Sequence, residues 1–313
     1  MLMLFMRLIM AGLLNGQRKR LDLNNSCKLS ICIPAFENVT GLERAINSIL
    51  IQTFDDYEIV ISDDSRTKDI YSYTEQLGCS KIRYYRSNNK GPISNWNNAF
   101  AKARGEYVTL LHHDDWYSDE KSVDTIIRKM DQGGANFAFC ESQQVQLAEN
   151  GEKVFEKRRY IRNDDIKQLK IDWRYLYLAN IVGAPSGVFL RRQFVEDNKV
   201  KWDENLTWTV DFDYYMQVFL HDNDFICINE PLVCIGESSK QLTRNCEYNW
   251  DLQFKEYFYL YKKYRLRNRE MKYTRKLLDI SNANGNTAGE LFSYFGDLPF
   301  KFYLLYICDR LRR

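Results

Sequence analysis

EYVTLLHHDDWYSD, residues 106–119, decides how this chain is read. EYVTLL (106–111) has the character of a short buried strand, and at its carboxyl end come two histidines, two aspartates and a tryptophan. Four titratable residues there are either a working site or a costly turn. The neighbouring segments decide between these. LSICIP (29–34), YEIVIS (57–62) and KIRYYR (81–86) read as three further strands. A helix is expected from Thr40, where T-G-L-E forms a capping box: the Thr40 hydroxyl takes the N–H of Glu43, whose carboxylate reaches back. Leu42, Ala45, Ile46, Ile49 and Leu50 then form one apolar face. GPISNWNNAFAKARG (91–105) reads as a second helix, with Pro92 in its first turn and Gly105 as its stop. A helix around 119–131 and a strand NFAFC (136–140) complete the alternation.

Strands alternating with helices across short connections predict a parallel sheet covered on both faces. Ligands of such sheets bind at the carboxyl ends of the strands. Three polar clusters then fall on one rim: Pro34-Ala35-Phe36-Glu37, Asp63-Asp64-Ser65 and His112-His113-Asp114-Asp115. Either acidic pair alone reads equally well as loop residues. Both pairs on one rim favour a site. Paired carboxylates hold a divalent metal through oxygen or act as acid and base. One pair for a metal and one for a base or ribose would suit a nucleoside diphosphate.

Beyond 150 the pattern changes. GEKVFEKRRYIRNDD is charged and reads as a loop or hairpin, 164–178 as helical, and SGVFL (186–190) as a strand. VDFDYYMQVFL (210–220) reads as a helix with Asp211 and Asp213 at its start, and FICINEPLVCIG (225–236) as a strand. From about 247 the chain reads as helices rich in tyrosine and lysine.

Composition sets outer bounds. With 313 residues, 45% hydrophobic and 27% charged, the chain fits one large globular domain or one domain with an appendage. A net charge of +2 argues against nucleic acid as an obligate partner. The 8 cysteines form no CxxC pair, so neither a zinc site nor a disulfide framework is indicated, and a reducing, cytoplasmic location fits. MLMLFMRLIMAGLLNGQRKR is apolar and then basic, too short to span a bilayer and opposite in order to a signal peptide. Residues 1–27 are therefore expected to be a leader, either disordered or an interfacial amphipathic anchor.

The chain resembles the family 2 glycosyltransferases, inverting enzymes of the GT-A fold. The resemblance rests on SICIPAFENVTGLERAINSILIQTFDDYEIVISDDS, NNKGPISNWNNAFAKARGEYVTLLHHDDWY, GAPSGVFLRRQF and WTVDFDYYMQV, and runs from about Leu29 to Thr243. It implies an α/β fold: a Rossmann-like, mostly parallel sheet with helices on both faces, plus a C-terminal helical extension. A nucleotide-binding half would occupy about 28–140, an acceptor half about 141–243, and a helical region 244–313.

The resemblance also assigns roles. Pro34 and Phe36 stand at the P-x-Y positions of the nucleobase pocket; phenylalanine stacks there but lacks the tyrosine hydroxyl. Glu37 stands where asparagine is frequent. Asp64 matches the aspartate that accepts from a base N–H, typically of uracil, with Asp63 beside it. Trp96 and Asn97 match a polar pair bordering the donor sugar and phosphates. Asp114 matches the last aspartate of the D-x-D metal motif, and His112 replaces the first. Imidazole ligates Mn²⁺ and suits Mg²⁺ poorly; His112 could equally contact ribose or cap the strand. Asp115 would orient the loop or contact the donor. Asp211 matches the base that deprotonates the acceptor, with Asp213 second; a helix N-terminal charge is the bland alternative for Asp211.

The expected activity is transfer from a nucleotide-sugar donor, a UDP-sugar, with Mn²⁺ or Mg²⁺, to a saccharide or lipid-linked saccharide in bacterial surface polysaccharide assembly. An inactive scaffold that binds nucleotide-sugar is the alternative. A nucleotidyltransferase would want a glycine-rich phosphate loop, which PAFENVTG does not supply, and an aspartate-nucleophile phosphatase would not end its first strand in proline. LPFKFYLLYICDRLRR (298–313) places Leu298, Phe302, Leu305 and Tyr306 near one face of a helix, extended by Ile307 and Leu311, which either lies peripherally on the inner face of a membrane or packs back on the catalytic domain.

Overall fold

The computed structural model describes residues 27–87, 91–148, 152–237, 246, 248–266, 271–283, 285 and 300–311. The expected leader, up to residue 26, and the expected boundary at 243–244 lie outside the described residues. The chain opens as β1 (Leu29–Ala35), α1 (Val39–Leu50), β2 (Tyr57–Asp63), α2 (Asp69–Leu77), β3 (Ile82–Arg86), α3 (Pro92–Phe100) and β4 (Tyr107–Leu110). The pairs β1–β2, β1–β4 and β2–β3 are parallel, as the alternation predicts.

The sheet then changes character. After β5 (Trp116–Tyr117) and α4 (Ser122–Gly133), β6 (Phe137–Leu147) and β7 (Lys153–Arg159) form the antiparallel hairpin expected from the charged segment. The helix α5 (Asn163–Ile171) and a 3₁₀ turn (Trp173–Tyr177) precede β8 (Val188–Arg191), which enters antiparallel between β4 and β6. The chain continues through α6 (Arg192–Asp197), α7 (Val210–His221) and β9 (Ile226–Glu237). The nine strands run β3-β2-β1-β4-β8-β6-β9-β5, with β7 beside β6. Last come α8 (Trp250–Lys263), α9 (Met271–Ala283) and α10 (Phe300–Leu311).

Strand alternation splits the core in two. Leu29, Ile31, Ile33, Ile59 and Ile61 pack with α1, α2 and α4 on one face. Cys32, Val60, Val108 and Leu110 face the other way, onto α3, α7 and the C-terminal helices. Phe254, Tyr257, Tyr261, Leu277 and Phe302 belong to that second cluster, so α8 to α10 share a core with the sheet.

Two local expectations need correction. The cap of α1 is Asn38, whose side chain accepts the Gly41 N–H at 2.9 Å; the helix has begun by Val39, so Thr40 lies inside it. Gly105 does not stop α3, which ends at Phe100. Gly105 instead lets the chain pass β1: a Cβ there would meet the Ser30 backbone nitrogen at 2.5 Å.

Candidate active site

Because β1, β2 and β4 are parallel, their carboxyl ends share one rim. Ala35 is level with Asp63, and the His113 ring nitrogen Nδ1 lies 3.0 Å from the Pro34 carbonyl. The three polar clusters thus meet.

The two halves of the rim are built differently. Asp63 is fully buried and fully engaged: Oδ1 accepts the Ser65 N–H, and Oδ2 accepts from the Tyr84 hydroxyl (2.7 Å) and Arg86 (2.8 Å). Asp64 accepts the Gly91 N–H at 2.9 Å, tying the rim to the start of α3. Phe36 is exposed on the rim. Glu37 takes a left-handed backbone, φ 47°, which side chains other than glycine, asparagine and aspartate adopt at a cost. The Ser65 hydroxyl accepts its N–H, and its carboxylate accepts the N–H of Arg66.

On α3, the Trp96 ring tilts against His112 with centroids 4.9 Å apart. Asn97 turns elsewhere: its amide bonds the N–H and carbonyl of Trp202 at 2.9 Å each. The structure therefore brings Trp96 to the rim and commits Asn97 to the 202 loop.

His112, Asp114 and Asp115 form a cluster whose potential ligand atoms lie within 4.8 Å of one another. Asp115 is held by its surroundings. Its oxygens accept from the Ser186 hydroxyl and from the Gly236 N–H (2.9 Å), and Ser186 also accepts the His112 N–H (3.0 Å). Burial, and then the charge of Asp114, raise the Asp115 carboxyl well above the usual range. Burial pushes His112 down to about 4, so its imidazole is neutral at pH 7, and its Nε2 is buried without a partner. No hydrogen bond engages the Asp114 carboxylate among the described residues. A neutral imidazole with a bare nitrogen beside an unengaged carboxylate fits a divalent ion, with His112 and Asp114 as ligands and Asp115 as the buttress. Arg44, whose guanidinium lies 4.5 Å over the Trp116 ring, feels both acidic charges.

The two aspartates of α7 have separate environments. Asp213 is fully buried, and its carboxylate accepts from the Tyr264 hydroxyl (2.8 Å), Lys263 (2.8 Å) and Gln217 (2.7 Å). Asp211 keeps Oδ1 buried without a partner, and burial raises its carboxyl to about 7. Asp211 also acts electrostatically on Tyr215, whose hydroxyl donates to the Gly183 carbonyl (3.0 Å). Three residues on stands Ser186, so the 183–187 segment joins α7, through Tyr215 one helical turn after Asp211, to the His112 cluster.

Sequence reasoning had no signal for Ser186, Gly236 or Arg44 as partners of the acidic pair. They lie 71, 121 and 71 residues from Asp115, so only the fold brings them there.

The chain is similar to known proteins across this region. The sequence model "Glycosyl transferase family 2" matches residues 30–198, more than half of the chain. A Campylobacter jejuni GalNAc(5)-diNAcBac-PP-undecaprenol beta-1,3-glucosyltransferase is 34% identical over 155 residues, 47% of this chain and 50% of that protein. An uncharacterized glycosyltransferase of Rickettsia conorii is 31% identical over 131 residues, 42% of this chain and 21% of that protein. The chain thus matches half or less of the length of these curated relatives. In fold it is similar to S. aureus TarS 1–349 in complex with UDP-GlcNAc, with a TM-score of 0.60 and 16% identity over 90% of this chain and 78% of that one. The parallel rim, the antiparallel β8 and the helices on both faces make this a GT-A fold, and with its sequence match the chain belongs to glycosyl transferase family 2.

Proposed function

We propose that the protein transfers a sugar from a UDP-sugar to an acceptor hydroxyl with inversion at the anomeric carbon. The observation that carries this reading is that the 183–187 segment ties the His112–Asp114–Asp115 cluster to α7, the helix that carries Asp211 with its Oδ1 buried and unpaired among the described residues. That pairing supplies a leaving-group end and a base end.

At the leaving-group end, Phe36 stacks on the nucleobase, and Asp64, with Asp63 fixed behind it, accepts from a base N–H. Pro34 and Glu37 shape that pocket, and Trp96 borders the donor sugar beside His112. His112 and Asp114 would hold Mn²⁺, or less readily Mg²⁺, because one ligand is an imidazole nitrogen. A bound divalent ion supplies positive charge to the diphosphate as it leaves. At the base end, Asp211 takes the acceptor hydroxyl proton as the new C–O bond forms and the bond to the diphosphate oxygen breaks. UDP departs with the electron pair. A carboxyl with a pKa near 7 is well matched to that task. Asp213, engaged with α8, is placed as structural support.

The domain reading that fits is a nucleotide half at about 28–140, an acceptor half at about 141–243 and a helical region that completes the core. The similar Campylobacter protein is named for an undecaprenol-linked acceptor. A lipid-linked saccharide is the acceptor class we propose here, in bacterial surface polysaccharide assembly at the cytoplasmic face of a membrane. Among the described residues, no helix is long and apolar enough to cross a bilayer; the contact we propose is peripheral.

Calorimetry with UDP, with and without Mn²⁺, tests the site. Affinity is expected to rise at least tenfold with Mn²⁺, to lose that gain in Asp114→Ala, and to keep part of it in His112→Ala. Equal affinity with and without the ion sinks the metal assignment.

A further inference from the structure

Asp211 has a bare carboxylate oxygen, so its position comes from the backbone of α7. What fixes that backbone is α8. Glu256 of α8 is 4% exposed, and its carboxylate collects four donors from the entry to α7. Oε1 accepts the Thr207 N–H at 2.8 Å. Oε2 accepts the N–H groups of Trp208 (2.9 Å) and Thr209 (2.8 Å) and the Thr209 hydroxyl (3.1 Å). Thr209 is the N-cap residue of α7, yet its side chain makes no cap bond to its own helix. The backbone leading into that cap is instead held from outside by a carboxylate 47 residues away.

A second pin lies past the base. Two residues after Asp211, Asp213 receives the Lys263 ammonium and the Tyr264 hydroxyl, Lys263 being the last residue of α8 and Tyr264 its C-cap. The two pins sit at positions 209 and 213 and bracket 211.

From this bracketing we infer that Glu256 is a positioning residue for transfer: it sets the first turn of α7 and thereby the reach of the Asp211 carboxylate toward the acceptor oxygen. The inference rests on Asp211 being the base. It gives the C-terminal helices a share in the chemistry, because a small displacement of a reacting group costs rate far more than binding. The donor rim on β1, β2 and β4 is built from other elements, so a change at Glu256 should divide kcat from KM.

The test compares wild type, Glu256→Gln, Thr209→Val and Asp211→Asn, with UDP release from UDP-GlcNAc in Mn²⁺ as the assay and thermal unfolding alongside. Glu256→Gln is expected to lower kcat about tenfold or more and to leave KM for UDP-GlcNAc within about twofold. Thr209→Val removes one of the four bonds without a charge, and is expected to lower kcat about threefold with KM unmoved. If Glu256→Gln only lowers the melting temperature, with kcat unchanged, Glu256 is a purely structural support and the inference is overturned. If Glu256→Gln does not fold, unchanged kcat in Thr209→Val overturns it. Unchanged kcat in Asp211→Asn instead overturns the base assignment itself.

Discussion

Two carboxylates two residues apart on one helix, Asp211 and Asp213, have opposite effects on stability. Asp213 is buried against a cation and two neutral donors. Removing its charge weakens three hydrogen bonds while Lys263 keeps its pairing with Asp203 at 2.9 Å, so Asp213→Asn is expected to cost about 2 kcal/mol in urea unfolding. Asp211 is partly exposed, but its Oδ1 is buried with no such support, and its carboxyl is raised from 3.8 to about 7. A raised carboxyl means that the folded state prefers the neutral acid. Its contribution is present below the unfolded value near 4 and is lost as pH rises through 7. Asp211→Asn has no such loss. The variant should therefore gain on wild type between pH 5 and pH 8, by roughly 3 kcal/mol from the two units that remain above pH 5. Turnover should behave inversely, rising with pH through about 7 in wild type and collapsing in the variant. Equal stability differences at the two pH values would show that Asp211 is not a strained base. The sequence placed both aspartates at a helix start but could not rank them from their surroundings, because the partners that occupy Asp213 lie 50 and 51 residues away.

At the level of elements, what the sequence revealed was local. Apolar runs of four to seven residues gave β1, β2 and β4, and strand parity gave the common rim. What it did not reveal was pairing over distance. The antiparallel insertion of β8 and the run of β9 past Trp116 have no periodicity that distinguishes them from parallel neighbours. Yet these elements finish the His112–Asp114–Asp115 cluster. Gly236 of β9 donates to Asp115, and a Cβ at that position would lie 2.3 Å from the Asp114 carbonyl oxygen and 3.3 Å from the Trp116 ring. The contact is with backbone, so nothing flexible can move aside. Gly236→Ala is expected to push β9 off the loop, cost about 1–3 kcal/mol, and weaken Mn²⁺-dependent UDP binding at least tenfold. Calorimetry on the folded variant checks this; an unchanged dissociation constant would mean that β9 does not shape the site.

For the molecule as a whole, the C-terminal helices were legible as helices but not as part of the core, since their partners lie on the far face of the sheet. α10 shows how this bears on the membrane. The sequence left two readings, a helix packed on the domain or one lying on lipid by the face of Phe302 and Tyr306; the structure puts those two residues in the core and leaves a different face exposed. Phe302 and Tyr306 are buried in the shared core, whereas Phe300, Leu304 and Ile307 are 73%, 49% and 52% exposed. Spacings of four and three put those three residues on one stripe. The sequence around them carries Lys301, Arg310, Arg312 and Arg313; Leu298 and the last two arginines lie outside the described residues. An exposed apolar stripe on a helix whose sequence is basic suits the headgroup layer of an anionic bilayer. Deleting residues 298–313 removes both faces at once, so it should lower the melting temperature and liposome sedimentation together. The triple variant Phe300→Ser, Leu304→Ser, Ile307→Ser touches only the outer stripe. It is expected to keep the melting temperature within a few degrees while losing most sedimentation with anionic liposomes. Retained sedimentation in a well-folded triple variant would remove this helix from the membrane contact.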